Sequence, residues 1–329
     1  MAENKRFIDF NKLSEIAEED KKNLTKSKNT QIAYKSDWED FTDFCNKYKV
    51  SSIPADYETV RNYLVYLSKG IKQDYKLNTI KRRIASIAHF HTENNVPFDT
   101  RHSIIKNQMN VIKRSLKGKL EQTSPLLFED LKKIIDVIDE EILKNPSRLI
   151  NYRDKCIILI GWFGAFRRSE LVNLKIENIE INNQGLSIKM DKSKTDQEGK
   201  LEAKGIEKSD SPNSPYCPVN SYAKWLHLSS IRNGLIFRQI DTSNRIYHED
   251  LSDKSISLII KNWARKSLIS DNKLSGHSFR AGYATELAKA GASETEIMKT
   301  TQHKSADMVR RYIRDAETMK TAAKKYLKF

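Results

Sequence analysis

Ser275–Gly291 reads SGHSFRAGYATELAKAG, a helix start, an alanine-rich interior and a glycine stop. The pattern predicts a helix over Ser278–Ala290. His277 and Arg280 lie three residues apart, so one turn presents an imidazole and a guanidinium together. Such an arginine holds two phosphate oxygens in a fork, while a histidine donates to a third or shuttles a proton. Alone, the pair reads as a capping histidine and a solvated arginine. Its neighbours supply the weight.

Upstream, Phe166-Arg167-Arg168-Ser169-Glu170-Leu171 follows the apolar run Cys156–Phe166 (CIILIGWFGAF), which reads as a buried core helix ending at a Gly164-Ala165 break. A helix starting afresh here sets Arg167 and Glu170 on one face, with Leu171 and Leu174 anchoring the other. By itself this is a surface ion pair worth little. Downstream come Gln302-His303-Lys304-Ser305 and then Asp307-Met308-Val309-Arg310-Arg311-Tyr312-Ile313, with Ser305 as a reasonable N-cap. Tyrosines are usually packing residues, and 13 are present. Order lifts Tyr312 above them: arginine box, hairpin, His-x-x-Arg, histidine, tyrosine.

Breaking a DNA phosphodiester without a metal asks for cations on the non-bridging oxygens, an acid for the leaving oxygen and an activated nucleophile. The chain has the charge to meet such a substrate. Its net charge of +15 and pI near 9.5 favour a polyanionic partner, nucleic acid before an acidic membrane surface. No apolar stretch approaches the ~20 residues that span a bilayer, and no secretory signal is expected. Cys45, Cys156 and Cys217 form neither a zinc pattern nor a disulfide framework, which suits a reducing cytoplasm.

The fold class expected is mainly α with a small antiparallel β-sheet, in two domains. Residues 1–25 read as a flexible arm and 26–117 as an all-helical domain. In that domain one helix carries Ile32, Tyr34, Trp38, Phe41, Cys45 and Tyr48, and a second carries Val60, Tyr63, Leu64 and Leu67. A third, about 78–94, turns Ile80, Ile84, Ile87 and Phe90 inward and shows Lys81, Arg82 and Arg83 on its other face. The fourth, about 100–116, packs Ile104, Ile105, Met109 and Ile112. Arg101, Lys106, Lys113, Arg114 and Lys117 run along it without an acid among them and lead into a linker at 118–126. A charge run is usually a solvated face, but one ending at an interdomain linker suits phosphate contact.

Residues 127–314 form the second domain. Helices are expected at Asp130–Leu143, Tyr152–Phe163, Val219–Leu228, Ser255–Lys266, Glu294–Thr300 and Ala306–Ile313. One small sheet comes from Ile179–Ile181, Leu186–Met190 and Leu201–Ile206, with Asn182–Gly185 as a hairpin turn. Residues 315–329 are expected to form a helix with Tyr326 on its apolar face, a position that suits packing better than chemistry.

On these boxes the sequence resembles the tyrosine recombinase (phage integrase) family, and within it Cre-type recombinases, through SGHSFRAGYATELAKAG and VRRYIRD. The likeness runs from about Asn29 to the C-terminus. It implies an all-helical core-binding domain and a mixed α/β catalytic domain forming a C-shaped clamp. It also implies strand exchange through a 3′-phosphotyrosine between two inverted-repeat sites of double-stranded DNA. Monomers or dimers would occupy half-sites or single sites and assemble into a homotetramer, in the cytoplasm of a bacterium as a plasmid or phage product. Neither a cofactor nor a metal is expected.

The resemblance implies that Arg167 and Arg280 clamp the phosphate. Glu170 orients Arg167 or a neighbour, whereas Arg168 sits at a usually apolar family position. His277 and His303 donate to phosphate or exchange a proton with the tyrosine, although relatives such as Cre carry Trp at the His303 position. Tyr312 is the nucleophile. The acid is a hairpin lysine, Lys194 in its Ser-Lys-Thr setting, with Lys192 and Lys200 as competitors. The C-terminal helix is expected to be donated to a neighbouring protomer rather than folded back. Alternatives are a type IB topoisomerase-like relaxing enzyme, a catalytically decayed DNA-binding protein and, more distantly, a metal-dependent transposase.

Overall fold

The computed structural model describes residues 9, 11–15, 28–70, 75–116, 123–190, 203–303 and 305–317. The chain forms two compact units, Met1–Leu120 and Glu121–Phe329. It is mainly helical with small antiparallel sheets, as the patterning predicts. Among the described residues no helix is long and apolar enough to cross a membrane. Of the expected arm only 9 and 11–15 are described, and 11–15 are helical.

In the first unit α1 (Lys28–Tyr48), α2 (Tyr57–Ser68), α3 (Leu77–Glu93) and α4 (Ser103–Ser115) enclose one core. Asp56 caps α2 by accepting from the Thr59 amide. Val60, Tyr63, Leu64 and Leu67 are fully buried, as are Ile80 and Ile87 of α3. Each such side chain contributes about 1.5–3 kcal/mol. Ile32 departs from its expected place, being 67% exposed one turn into α1. Tyr34 and Trp38 meet ring partners on α3, His89 at 5.4 Å and Phe90 at 4.8 Å.

The second unit is built on α6 (Leu149–Phe163), which lies against α5 (Phe128–Lys144), α8 (Pro218–Ser229) and α10 (His277–Ala290). Residues Cys156–Ile160 of α6 are almost wholly buried, so its apolar run is that of a helix surrounded on all sides. The chain entering this unit docks on α10. The Leu126 amide donates to Ser278 O at 3.0 Å, and Trp162 Nε1 donates to Leu126 O at 2.8 Å. Gly282 makes that approach possible, because a Cβ there would lie 1.8 Å from Leu126 O.

Strands β1 (Ile179–Ile181), β2 (Gly185–Ile188) and β3 (Lys204–Glu207) form an antiparallel sheet in that order. Leu186 faces Ile206 and Ile188 faces Lys204 across the β2–β3 pair. A second sheet was not expected. It pairs β4 (Arg238–Ile240) with β5 (Ile246–Asp250). β4 is only three residues long and Tyr247–Asp250 of β5 are all exposed, so there is too little period-two signal to read. Helices α9 (Asp253–Lys266), α11 (Glu294–Thr301) and α12 (Ala306–Glu317) complete the unit. Ser252 and Ser293 cap α9 and α11.

Candidate active site

Helix α6 stops at Gly164, the chain turns through Ala165 in a left-handed conformation (φ 45), and Phe166 is buried beneath the turn. Arg167 then becomes the N-cap of the short helix α7 (Arg168–Val172). The Glu170 carboxylate accepts the Arg167 amide at 2.8 Å and a short bond from its Nη1. An arginine side chain cannot accept, so only the carboxylate's half of a capping box is made. Burial would raise the Glu170 carboxyl, but the Arg167 amide, Lys204 and the Arg167 guanidinium outweigh it and hold it below its ordinary value. Glu170 therefore stays ionised and holds Arg167 in place.

Arg168 has work of its own. Its stem lies over Gly276, where a Cβ would come within 1.8 Å of its Cγ. Its guanidinium reaches Ser257 Oγ at 3.4 Å and Asp253 at 3.7 Å, tying α7 to α9.

Helix α10 presents Arg280, 5% exposed, with Nη1 donating to Ala165 O at 3.5 Å and Nε to His303 Nε2 at 3.2 Å. Its Nη2 is buried with no hydrogen-bond partner among the described residues. Burial, then the Arg167 charge, lowers the Arg280 pKa to about 10, against the pull of Glu170 and Tyr312. It remains a cation at neutral pH, with the N–H groups of Nη2 unspent.

His303 is 8% exposed, and its Nδ1 meets Thr301 Oγ1 at 2.6 Å. Burial and the Arg280, Arg167 and Lys204 charges push it down to about 4. His277, at the start of α10, is exposed to solvent at the rim. Burial of its inner edge and the guanidiniums of Arg168, Arg167 and Arg280 still keep it below its ordinary value. Tyr312 is half-buried on α12 against the cluster of Ala284, Ala288, Ile297 and Val309. Its ring centre lies 5.8 Å from that of His303.

Arg167, Glu170, Arg280, His303 and Tyr312 thus converge from α7, α10, the turn after α11, and α12. His277 stands at the edge of the same field. Lys194, with its competitors Lys192 and Lys200, lies outside the described residues, as does most of 315–329.

A cation not singled out from the sequence stands in the cluster. Lys204 of β3 is 5% exposed and donates to Gly164 O at 2.8 Å. The signal was present, since a strand with Ile206 inward must also turn Lys204 inward. A cavity of about 980 Å³ opens beside Arg167, Lys204 and His303. Among the described residues no group of three or more His, Cys, Asp or Glu side chains is arranged to hold a metal ion.

In the first unit Lys81, Arg101 and Lys106 line one groove between α3 and α4, with Ile84 and Met109 at its floor. Lys113 and Arg114 are exposed on the last turn of α4. Arg82 is half-exposed but grips Asp37 at 2.7 and 3.0 Å. Arg83 does not face solvent as expected. It is 7% exposed, bonded to Asp40 and to the Tyr63 and Tyr75 hydroxyls, because the buried Asp37 and the half-buried Asp40 beside it draw a cation inward. Lys117 lies outside the described residues.

The phage integrase family model matches residues 125–319. An integrase/recombinase XerD homolog of Selenomonas ruminantium is 37% identical over 311 residues, 92% of this chain and 87% of that protein. Among solved structures, XerH site-specific recombinase bound to a palindromic difH substrate, in a post-cleavage complex, is similar with a TM-score of 0.61. It is 18% identical over 84% of this chain and 73% of its own. A lambda integrase dimer bound to a COC' core site is similar at 0.56 and 16% identity, over 93% of this chain and 95% of that one. The family match spans the whole arginine–histidine–tyrosine cluster, and the chain belongs to the phage integrase family, as an enzyme of the tyrosine recombinase class.

Proposed function

We propose that this chain is a site-specific DNA recombinase that cuts and rejoins strands through a 3′-phosphotyrosine at Tyr312. The observation that carries the reading is the convergence of Arg167 and Arg280, with the buried and unspent Nη2 of Arg280, beside Tyr312. A buried donor without a partner costs about 1–3 kcal/mol, a cost that a bound phosphate oxygen relieves.

Arg167 and Arg280 hold the non-bridging oxygens, Glu170 fixes Arg167, and His277 at the rim donates to phosphate. His303 braces Arg280 from behind. The Tyr312 oxygen attacks phosphorus, the bond from phosphorus to the 5′ oxygen breaks, and the tyrosine ends in diester linkage to the 3′ phosphate. The phenolic proton leaves to a base, and the departing 5′ oxygen takes a proton from a hairpin lysine, Lys194 by family resemblance. A 5′ hydroxyl from a partner duplex reverses these steps. One phosphodiester replaces another, so the exchange needs no ATP.

Residues 26–117 act as the core-binding domain, with the Lys81–Arg101–Lys106 groove against phosphates, and 127–314 as the catalytic domain. Inverted-repeat sites, a tetrameric synapse and a C-terminal helix exchanged between protomers follow from the family resemblance. The three cysteines, buried and free, suit a reducing interior.

The test uses a nicked duplex carrying the site recovered by selection from randomised DNA. The wild-type chain should become covalently attached to it, and Tyr312→Phe should bind without attaching. Attachment by Tyr312→Phe would refute the nucleophile assignment. Relaxation of any supercoiled plasmid by a monomer, without joint products, would favour a topoisomerase instead.

A further inference from the structure

Lys204 reaches from the sheet into the turn that delivers Arg167. The β2–β3 register sets it opposite Ile188, on the inward face shared with Ile206. Its Nζ donates to Gly164 O at 2.8 Å and Ala165 O at 3.5 Å, and lies 4.6 Å from the centre of the Phe166 ring. Arg280 Nη1 donates to the same Ala165 oxygen at 3.5 Å. Two cations from separate elements therefore meet on one carbonyl of a turn whose alanine is held at φ 45. A left-handed alanine costs free energy and persists only where its surroundings hold it.

We propose that Lys204 is a positioning residue for strand cleavage. Its ammonium ties the Gly164–Ala165 turn to β3 and so sets where the guanidiniums of Arg167 and Arg280 stand. The assignment rests on the phosphotyrosine reading given above. It is separate from the role of proton donor, which family resemblance gives to Lys194.

The charged groups around Lys204 are Arg167 and Glu170 from α7 and Arg280 from α10, with the neutral His303 beyond them. Burial lowers the amine to about 7, Glu170 works against that fall, and Arg280 and Arg167 add to it. As the pH rises through this value the ammonium is lost, and with it the charge-assisted bonds to the turn. Arginine at this position would keep its charge.

The test is single-turnover cleavage by the full chain, from about pH 6 to pH 9 at subsaturating DNA, on the selected nicked duplex. Lys204→Met should cut roughly 10- to 100-fold more slowly while binding DNA as before. The wild type should lose rate on the alkaline side of neutrality, and Lys204→Arg should lack that falling limb. A duplex with sulfur at the bridging 5′ position needs no acid, so Lys204→Met should stay slow on it.

Wild-type rate and profile in Lys204→Met would overturn the proposal, as would full rescue by the sulfur substrate, which would make Lys204 the acid. Should Lys204→Met not fold, a limb shared by wild type and Lys204→Arg, or absent from both, overturns it equally. A wild-type chain that binds the duplex but never attaches to it would instead sink the phosphotyrosine reading, and this assignment with it.

Discussion

Arg280 donates its Nε–H to Nε2 of His303 across 3.2 Å. A guanidinium can only donate, so Nε2 accepts and the imidazole proton sits on Nδ1. Thr301 Oγ1 accepts a hydrogen bond from that N–H at 2.6 Å and donates its own to Ile297 O at 2.5 Å. The histidine is thus a neutral brace whose one lone pair is used on Arg280. In this arrangement it has no proton aimed at a phosphate, which separates its part from that of His277.

His303→Phe should therefore slow cleavage by roughly tenfold or more, with DNA affinity little changed. Its effect on stability has a definite sign. Unfolded, His303 titrates near its ordinary 6.5; folded, burial and the neighbouring cations hold it near 4. Between these values the unfolded chain binds a proton that the folded chain refuses. The contribution is complete above about 6.5 and drains away as the pH falls towards 4. Urea midpoints at mildly acidic pH should fall more for wild type than for His303→Phe.

Arg83→Met should lower the stability of the first unit by about 3–5 kcal/mol, because it removes the buried guanidinium that joins Asp40 to the Tyr63 and Tyr75 hydroxyls. Arg82→Ala also removes a partner of the buried Asp37, but it leaves Arg83 Nε 3.6 Å from that carboxylate and should cost less. Denaturant unfolding followed by aromatic fluorescence measures both. Equal effects would contradict the burial of Arg83.

Gly282→Ala sets two effects against each other. Alanine favours a helix over glycine by roughly 0.5–1 kcal/mol. The added Cβ would lie 1.8 Å from Leu126 O, a backbone atom that cannot swing aside. Overpacking of this kind costs about 1–3 kcal/mol or more, so the net change should be destabilising. A higher melting temperature would refute the close docking of Leu126 on α10.

Lys81→Ala, Arg101→Ala and Lys106→Ala should each weaken binding to duplex DNA regardless of sequence and reduce the salt slope by about 1. Affinity measured across a salt series tests this. An unchanged slope for all three would remove the α3–α4 groove from the DNA interface.

The long helices were legible because their apolar periods are strong: Val60, Tyr63, Leu64 and Leu67 fill one face of α2, and each is fully buried. The β4–β5 pair was not, because β4 is only three residues long and β5 is exposed from Tyr247 to Asp250. Arg83 looked like a third surface cation beside Lys81 and Arg82. Its fate turned on Asp37 and Asp40, more than forty positions away in the chain. Lys204 carries no motif of its own, unlike Lys194 in its Ser-Lys-Thr setting, and only the inward frame it shares with Ile206 points at it.

The order of residue types along this chain was enough to establish its family, its helical character and the arginine, histidine and tyrosine boxes, because those signals are local and periodic. Which side chains share a charge, which nitrogen of His303 carries the proton, and which lysine is shut away beside Glu170 were settled only by folding. Each depends on desolvation and on partners brought from distant segments, and neither can be read from neighbours in sequence.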